Sequence, residues 1–304
     1  MINVGVIGVG SIGAHHARIF SEIRDANLVG VADTDFKQAK KIASKYNCKA
    51  YKDYSRLITA VDAVTIAVPT TIHFKIALDC LKKNKDILIE KPITPAVHEA
   101  EKLIAEAKKR NLIIQVGHLE RFNAGLALIS SMTEQPQLIE AMRLSPFLKR
   151  SIDIDVTLDL MIHDIDIILS LVKSEITDLR ATGAKVLTDN IDIAYAWLEF
   201  KNGCIAEVIS SRVAAEKIRQ LKVFQNNTCL TLNYQTQEVS RYRKLNGKIE
   251  KDTRKSEIKE PLKEQLVSFV ECVKKRVQPI VSGAEGKKAL QIVLRISEMI
   301  RHGN

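Results

Sequence analysis

Up to about residue 120, short runs of uninterrupted apolar residues alternate with longer stretches in which apolar positions recur every three or four residues. The runs 4–7, 28–32, 63–68, 86–89 and 112–116 predict strands. They are apolar at successive rather than alternating positions, so both faces of each strand must be buried, as in a parallel sheet covered by helices on both sides. The intervening stretches supply those helices: in 97–110, Ala100, Leu103, Ile104 and Ala107 fall on one face. This alternation predicts a doubly wound α/β domain over residues 1–120.

Beyond residue 135 the texture changes. The stretches 138–144, 192–200, 204–213 and 217–224 read as strands, and Lys201-Asn202-Gly203, Asn226-Asn227 and Asn246-Gly247 mark turns between them and further strands. Short links between neighbouring strands predict a largely antiparallel, open sheet. Two helical segments, 262–276 and 285–301, close the chain. Residues 121–304 are therefore expected to form an α+β domain for substrate binding and oligomerisation, with the final helices free to return onto the first domain.

Length and composition narrow the function. A chain of 304 residues, 46% hydrophobic and 27% charged, is long enough for two ordered domains. The five cysteines are scattered without a C-x-x-C pair, so neither a disulfide framework nor a metal site is expected, and a reducing cytoplasm fits. No run approaches the ~18 apolar residues of a membrane span. The apolar start lacks the basic region of a signal peptide. A net charge of +10 favours anionic partners. Only 5% of residues are aromatic and no groove-reading motif appears, so nucleic acid is not expected among them.

Candidate chemistry begins where the first strand runs into Gly8-Val9-Gly10-Ser11-Ile12-Gly13 and a helical stretch. In that context Gly8 permits a tight turn, Gly10 close approach to a pyrophosphate and Gly13 close helix packing; Ser11 and Ile12 complete the cofactor turn, and the N-terminus of the helical stretch 14–23 offers N–H groups to an anion. Asp33 ends the second strand twenty residues later, where a carboxylate accepts ribose hydroxyls and repels a 2′-phosphate, so NAD is expected in preference to NADP. A helix cap is the competing role for Asp33. His15 and His16 are expected on the surface of the glycine-rich helix.

Glu90, Lys91 and Pro92 follow the strand 86–89, at the carboxyl edge where ligands of open α/β sheets bind. Lys91 is thereby aimed at the cofactor crevice or, as for most lysines, at solvent. Pro69, Thr70 and His73 follow another strand and are expected to flank the cofactor. Asp159 and His163, at i and i+4, share a helix face with Asp166, beside an apolar stripe of Leu158, Met161, Ile162, Ile165 and Leu169. Such a pair is either an oriented general base or a self-stabilising surface pair. His118 either lines the pocket or holds the domain junction.

Taken together, these residues resemble the Gfo/Idh/MocA oxidoreductases, NAD(P)-dependent dehydrogenases of sugars, inositols and nucleotide sugars. The resemblance rests on the glycine turn, Ala67-Val68-Pro69-Thr70 with His73, Glu90-Lys91-Pro92, Val116-Gly117-His118, Asp159-x-x-x-His163 and Gly283-x-Glu285-Gly286. It implies a Rossmann domain followed by the α+β domain, cofactor contacts from Glu90 and Lys91, and a catalytic set of Lys91, Asp159 and His163. Residues 118–123, 143–147 and 158–164 look most like the UDP-N-acetylglucosamine 3-dehydrogenase branch, whose products feed amino-sugar synthesis of the lipid A type. That branch implies a diphosphate-bearing sugar met by His118, Arg121, Asn123, Arg143, Arg150 and Arg212, with Lys149, Lys217 and Arg219 as further basic candidates. An exposed apolar face on the second domain's sheet would call for a homodimer or homotetramer. A free sugar or inositol as substrate, or a non-catalytic NAD-binding sensor, are the alternatives.

Overall fold

A computed structural model of the chain describes residues 1–148, 153–255 and 259–303. The chain divides into two compact units: Met1–Leu119 with Leu262–Lys287, and Glu120–Pro261 with the chain from Lys288 onward. The first unit is thus discontinuous in sequence.

Its sheet contains β1 (Ile2–Ile7), β2 (Ala26–Ala32), β3 (Lys49–Tyr51), β4 (Ala63–Ile66), β5 (Asp86–Ile89) and β6 (Ile114–Val116). They are parallel throughout, in the order β3-β2-β1-β4-β5-β6. The order reverses between β2-β1 and β4, which opens a crevice at the carboxyl edge of β1 and β4. Helices α1 (Ser11–Glu22), α2 (Phe36–Lys45), α3 (Tyr54–Ile58), α4 (His73–Lys82) and α5 (Val97–Arg110) make the crossovers. The short strand β3 escapes a search for apolar runs because Lys49-Ala50-Tyr51 contains none. β4 ends two residues before the apolar run does, so Ala67 and Val68 lead out of the sheet towards Pro69.

Burial explains the continuous apolar runs. Val4, Val6 and Val31 are fully buried, in one cluster with Phe20 of α1 and with Leu266, Phe269, Val270 and Val273 of the helix Pro261–Lys275. This late helix covers apolar surface of the first sheet. Beyond it, Arg276 Nη1 lies 2.6 Å from Asp86 Oδ2, while Asp86 Oδ1 accepts the Ile113 amide at 2.7 Å.

The second unit holds α6 (Ala124–Met132), β7 (Leu138–Leu144), α7 (Ile162–Val172) and the strands β8 (Ile176–Ala184), β9 (Ile193–Phe200), β10 (Ile205–Ser211), β11 (Ile218–Gln225), β12 (Thr228–Asn233), β13 (Glu238–Leu245) and β14 (Lys248–Lys255). The strand order is β14-β13-β12-β11-β7-β10-β9-β8. Every pair is antiparallel except β7 with β10, which are parallel because α7 and two further strands intervene between them in the chain. β8 gives no apolar run, since only Leu179 and Ala181 of its nine residues are buried. Along β7 buried and half-buried positions alternate strictly, so one face of the sheet is core and the other is left open. The core face packs against α6 and α7.

Ahead of α7, Thr157–Met161 forms a π-turn rather than α-helix. The single α-helical stripe expected from Leu158 to Leu169 therefore breaks register at Met161. Asp159 lies in the wider turn and His163 in the first α-helical turn. Among the described residues, no helix is long and apolar enough to cross a membrane.

Candidate active site

The glycine turn is a steric solution. Gly8 has φ +84°, and a Cβ there would lie 2.4 Å from the Ala67 carbonyl oxygen. A Cβ on Gly13 would stand 1.8 Å from the Gly8 carbonyl oxygen, so only glycine lets α1 begin this close to β1. A Cβ on Gly10 would meet open space. Among the described residues no side chain caps α1 and no acidic residue lies in its first turn. Its leading amides and the positive end of its dipole suit a pyrophosphate. Ser11 and Ile12 are exposed at the mouth of this turn and Gly13 is buried beneath it.

Asp33 is half-buried at the end of β2, with Oδ2 accepting the Val9 amide at 2.8 Å and Oδ1 the Asp35 amide at 2.9 Å. Each oxygen keeps a second lone pair for a ribose hydroxyl. The capping role belongs instead to Asp35, whose Oδ1 accepts the Lys37 and Gln38 amides. The arrangement fits the adenosine half of NAD.

Around β5 the structure brings together residues that the sequence lists separately. Lys91 is half-buried on the turn after β5, and the Lys91–Pro92 peptide is cis. Glu90 turns to His16, whose Nε2 lies 3.3 Å from Glu90 Oε1, and it abuts Gly117, where a Cβ would sit 2.7 Å from the same oxygen. His16 is fully buried, with Nδ1 2.8 Å from Thr65 Oγ1, which overturns its expected place on the helix surface. The signal was available, because Gly13, His16, Ala17 and Phe20 follow the buried face of α1 at spacings of three and four. His15 is exposed as expected.

His73, expected as a cofactor ligand, is 1% exposed and lies between two backbone carbonyls, with Nδ1 2.9 Å from Pro92 O and Nε2 2.9 Å from Val68 O. It stands behind the crevice rather than in it. Pro69 and Thr70, at the start of a short 3-10 turn, retain exposure.

In the second unit Asp159 is half-buried and His163 is 8% exposed. The basic residues expected around a substrate divide sharply. Arg143 is 2% exposed and forked onto Asp164, Nε to Oδ2 at 2.8 Å and Nη2 to Oδ1 at 2.9 Å, with Nη1 on Glu120 at 3.0 Å. Burial works against its cation, but the charges of Asp164 and Glu120 outweigh it and hold its pKa above the ordinary value. Arg143 is a strut between β7 and α7, not a phosphate ligand. Arg212 is likewise buried, donating to Ile154 O at 2.6 Å and standing 3.7 Å from Asp192. Asn123 caps α6 by accepting the Gly125 amide. Arg121 faces Asp166 at 3.5 Å, and His118 is buried in the first unit. Arg219 keeps 27% of its side-chain surface, 3.6 Å from Glu120, and Lys217 is exposed. Lys149 and Arg150 lie outside the described residues.

A parallel sheet of this order with an anion-ready glycine turn and an acidic residue closing β2 defines a dinucleotide-binding oxidoreductase unit. Residues 2–118 match the model of the oxidoreductase family with an NAD-binding Rossmann fold, and residues 129–228 match the GFO/IDH/MocA C-terminal domain. The chain belongs to the Gfo/Idh/MocA family of oxidoreductases acting on CH–OH groups, with NAD as cofactor. It is 37% identical over 234 residues to the UDP-N-acetylglucosamine 3-dehydrogenase of Acidithiobacillus ferrooxidans, spanning 77% of this chain and 74% of that protein. The solved structure of that enzyme superposes with a TM-score of 0.93 at 32% identity, covering 98% of this chain and 97% of the other. The myo-inositol 2-dehydrogenase of Thermotoga maritima is 28% identical over 95% of this chain and 93% of its own. Levoglucosan dehydrogenase, solved in complex with NADH and levoglucosan, shares the fold with a TM-score of 0.89 at 17% identity over 98% of this chain and 96% of its own.

Two predictions follow from the buried charges. Removing the arginine of this network by Arg143→Met should cost about 3–5 kcal/mol in urea unfolding because Asp164 and Glu120 are left buried without it. Asp164→Asn should cost less, because Glu120 still faces the Arg143 guanidinium. Burial pushes the Glu90 carboxyl up, but His16, with Lys91 beyond it, outweighs burial and holds the pKa below the ordinary value of 4.5. A depressed carboxyl stabilises the fold above its unfolded pKa and loses that contribution as pH falls through its folded pKa. Stability should therefore decline as pH falls below about 4.5, and Glu90→Gln should be less stable at pH 7 with a flatter profile in urea titrations at each pH.

Proposed function

We propose that this protein is a cytoplasmic dehydrogenase that oxidises the 3-hydroxyl of UDP-N-acetylglucosamine to a ketone. The observation that carries the reading is the joint presence of the Glu90-Lys91-Pro92 turn and the Asp159-x-x-x-His163 pair in a chain 37% identical to a UDP-N-acetylglucosamine 3-dehydrogenase. NAD, when bound, supplies the acceptor for the hydride leaving the sugar carbon. The amides of Ser11, Ile12 and Gly13 and the bare backbone at Gly8 and Gly10 receive its pyrophosphate. Asp33 receives the ribose hydroxyls, and Pro69 and Thr70 flank the crevice.

His163 takes the proton of the sugar hydroxyl as general base, and Asp159 holds the imidazole in the orientation and tautomer that leaves a lone pair for that proton. Lys91 donates a hydrogen bond to the oxygen on which alkoxide charge develops. Of the basic residues, Lys217 and Arg219 keep accessible surface to neutralise a sugar diphosphate, with Arg121 and His118 closer to the core. The likeness to myo-inositol 2-dehydrogenase over 95% of the chain supports a second reading, a free polyol as substrate with the same catalytic roles.

The open face of the second unit's sheet supports a homodimer or homotetramer. It carries Tyr195, 42% exposed, and two shallow cavities of about 190 and 170 Å³ lined by residues such as Tyr195, Trp197, Met142 and Ile209. Arg180, Glu140, Glu207 and Lys222 line the same cavities, so the face offers a mixed apolar and charged surface of the kind found at interfaces between subunits.

Absorbance of reduced nicotinamide, followed with UDP-N-acetylglucosamine, UDP-glucose, glucose and myo-inositol, should rise with the first alone. Turnover of myo-inositol or glucose instead would establish the second reading, and NAD binding without any turnover would leave a sensor. His163→Asn should lower kcat about 10²–10⁴-fold. Light scattering coupled to gel filtration should give a dimer or tetramer, and Tyr195→Asp should shift it towards monomer; a monomeric wild-type protein would refute the assembly.

A further inference from the structure

Lys91 sits on a turn that the sheet does not hold. The last ladder contact of this segment is the Glu90 amide on Ile66 O at 3.0 Å, after which the chain leaves β5. Pro92 has no amide to donate, so its carbonyl is the backbone group by which the turn can be fixed from that side. The carbonyl faces His73 Nδ1 at 2.9 Å. The opposite ring nitrogen faces the carbonyl of Val68, in the loop that leaves β4, also at 2.9 Å. At the other end of the turn Glu90 is held by His16, which is itself anchored to Thr65 of β4, and is pressed against Gly117.

We propose that His73 is a positioning residue for Lys91: its ring, fixed at the first position of α4 and buried, spans the Val68 and Pro92 carbonyls and sets the Lys91 turn against the loop after β4. His16 and Glu90 brace the same turn from the other end. The assignment rests on the role given to Lys91 above.

The chemistry of the ring suits a spacer. An imidazolium donates to both carbonyls, whereas a neutral ring donates to one and turns a lone pair towards the other oxygen, which repels it. Burial favours the neutral ring and holds its pKa below the ordinary value, against the raising effect of the two carbonyls and of Glu90. A rigid side chain with no surface exposure beyond 1% spaces the two loops by one imidazole width, and only its protonated form ties both of them. A displacement of about 1 Å in a group that must meet a developing alkoxide costs on the order of 10²-fold in rate.

The test compares wild type with His73→Phe, which keeps the bulk and removes both nitrogens, and His73→Gln, whose amide restores donors. The assay uses NAD with UDP-N-acetylglucosamine, or whichever sugar of the panel is turned over, with and without deuterium at the oxidised carbon. His73→Phe should lower kcat roughly 10–100-fold with less than about a threefold change in KM for NAD. The primary isotope effect should rise as the chemical step becomes slower, and His73→Gln should recover part of the rate. Hydrogen exchange of the Lys91, Ile93 and Thr94 amides should accelerate in His73→Phe, while those of β5 stay protected. A kcat within twofold of wild type, or a fall with unchanged isotope effect and unchanged exchange, would overturn the proposal. Lys91→Ala in the same assay separates the two claims: full turnover there defeats the role of Lys91 itself, whereas an inactive Lys91→Ala beside a fully active His73→Phe defeats only the positioning. If no sugar is turned over, the exchange measurement alone decides, since unaltered exchange in His73→Phe shows that the ring does not hold the turn.

Discussion

The close approach of the Gly8 carbonyl to Gly13 is the constraint on which the nucleotide-binding unit depends. A side chain at Gly13 would overlap that carbonyl, and one at Gly8 would overlap the carbonyl of Ala67, so β1, α1 and the end of β4 can meet only through bare backbone. That contact places the amino end of α1 at the point where the strand order of the sheet reverses. The leading amides of α1, Asp33 at the end of β2 and the loop after β4 all take their positions from it.

Histidine and arginine serve inside this protein as struts more than as ligands. His16 bridges Thr65 and Glu90, His73 lies between two carbonyls, and Arg143 forks onto Asp164 while holding Glu120. Each joins segments distant in sequence, and each is almost fully buried. A polar group in such a place must be satisfied by its neighbours, so it fixes their spacing more narrowly than an apolar contact of equal size. In the first unit the result is a turn carrying Lys91 that is braced at both ends; in the second it is a helix carrying His163 that is tied to β7 at the adjacent Asp164.

Much of the fold could be read in the chain because the physics involved is local. Continuous apolar runs located five of the six parallel strands, and the three-and-four spacing of 97–110 gave α5 its limits. β3 and β8 were invisible for a shared reason: Lys49-Ala50-Tyr51 and the mostly exposed β8 draw stability from the strands beside them, not from their own apolar pattern. The helix Pro261–Lys275 announced its apolar face and its freedom to return onto the first domain, but its partners there, Val4, Val6 and Phe20, lie more than two hundred positions away and only the fold names them.

By itself the sequence determined the chemistry on offer: a glycine turn that only a dinucleotide-type loop requires, an acidic residue at the end of β2, a lysine before proline at a strand end, and a carboxylate four residues from a histidine. These depend on residue type and short spacing, which the chain carries along its own length. Tertiary structure decided which polar residues are committed to the interior. Arg143, Arg212, Asn123, His16 and His73 look available in the sequence, yet all are buried against partners brought in from elsewhere in the fold. Burial and pairing are properties of neighbours in space, and no pattern within a single segment specifies them.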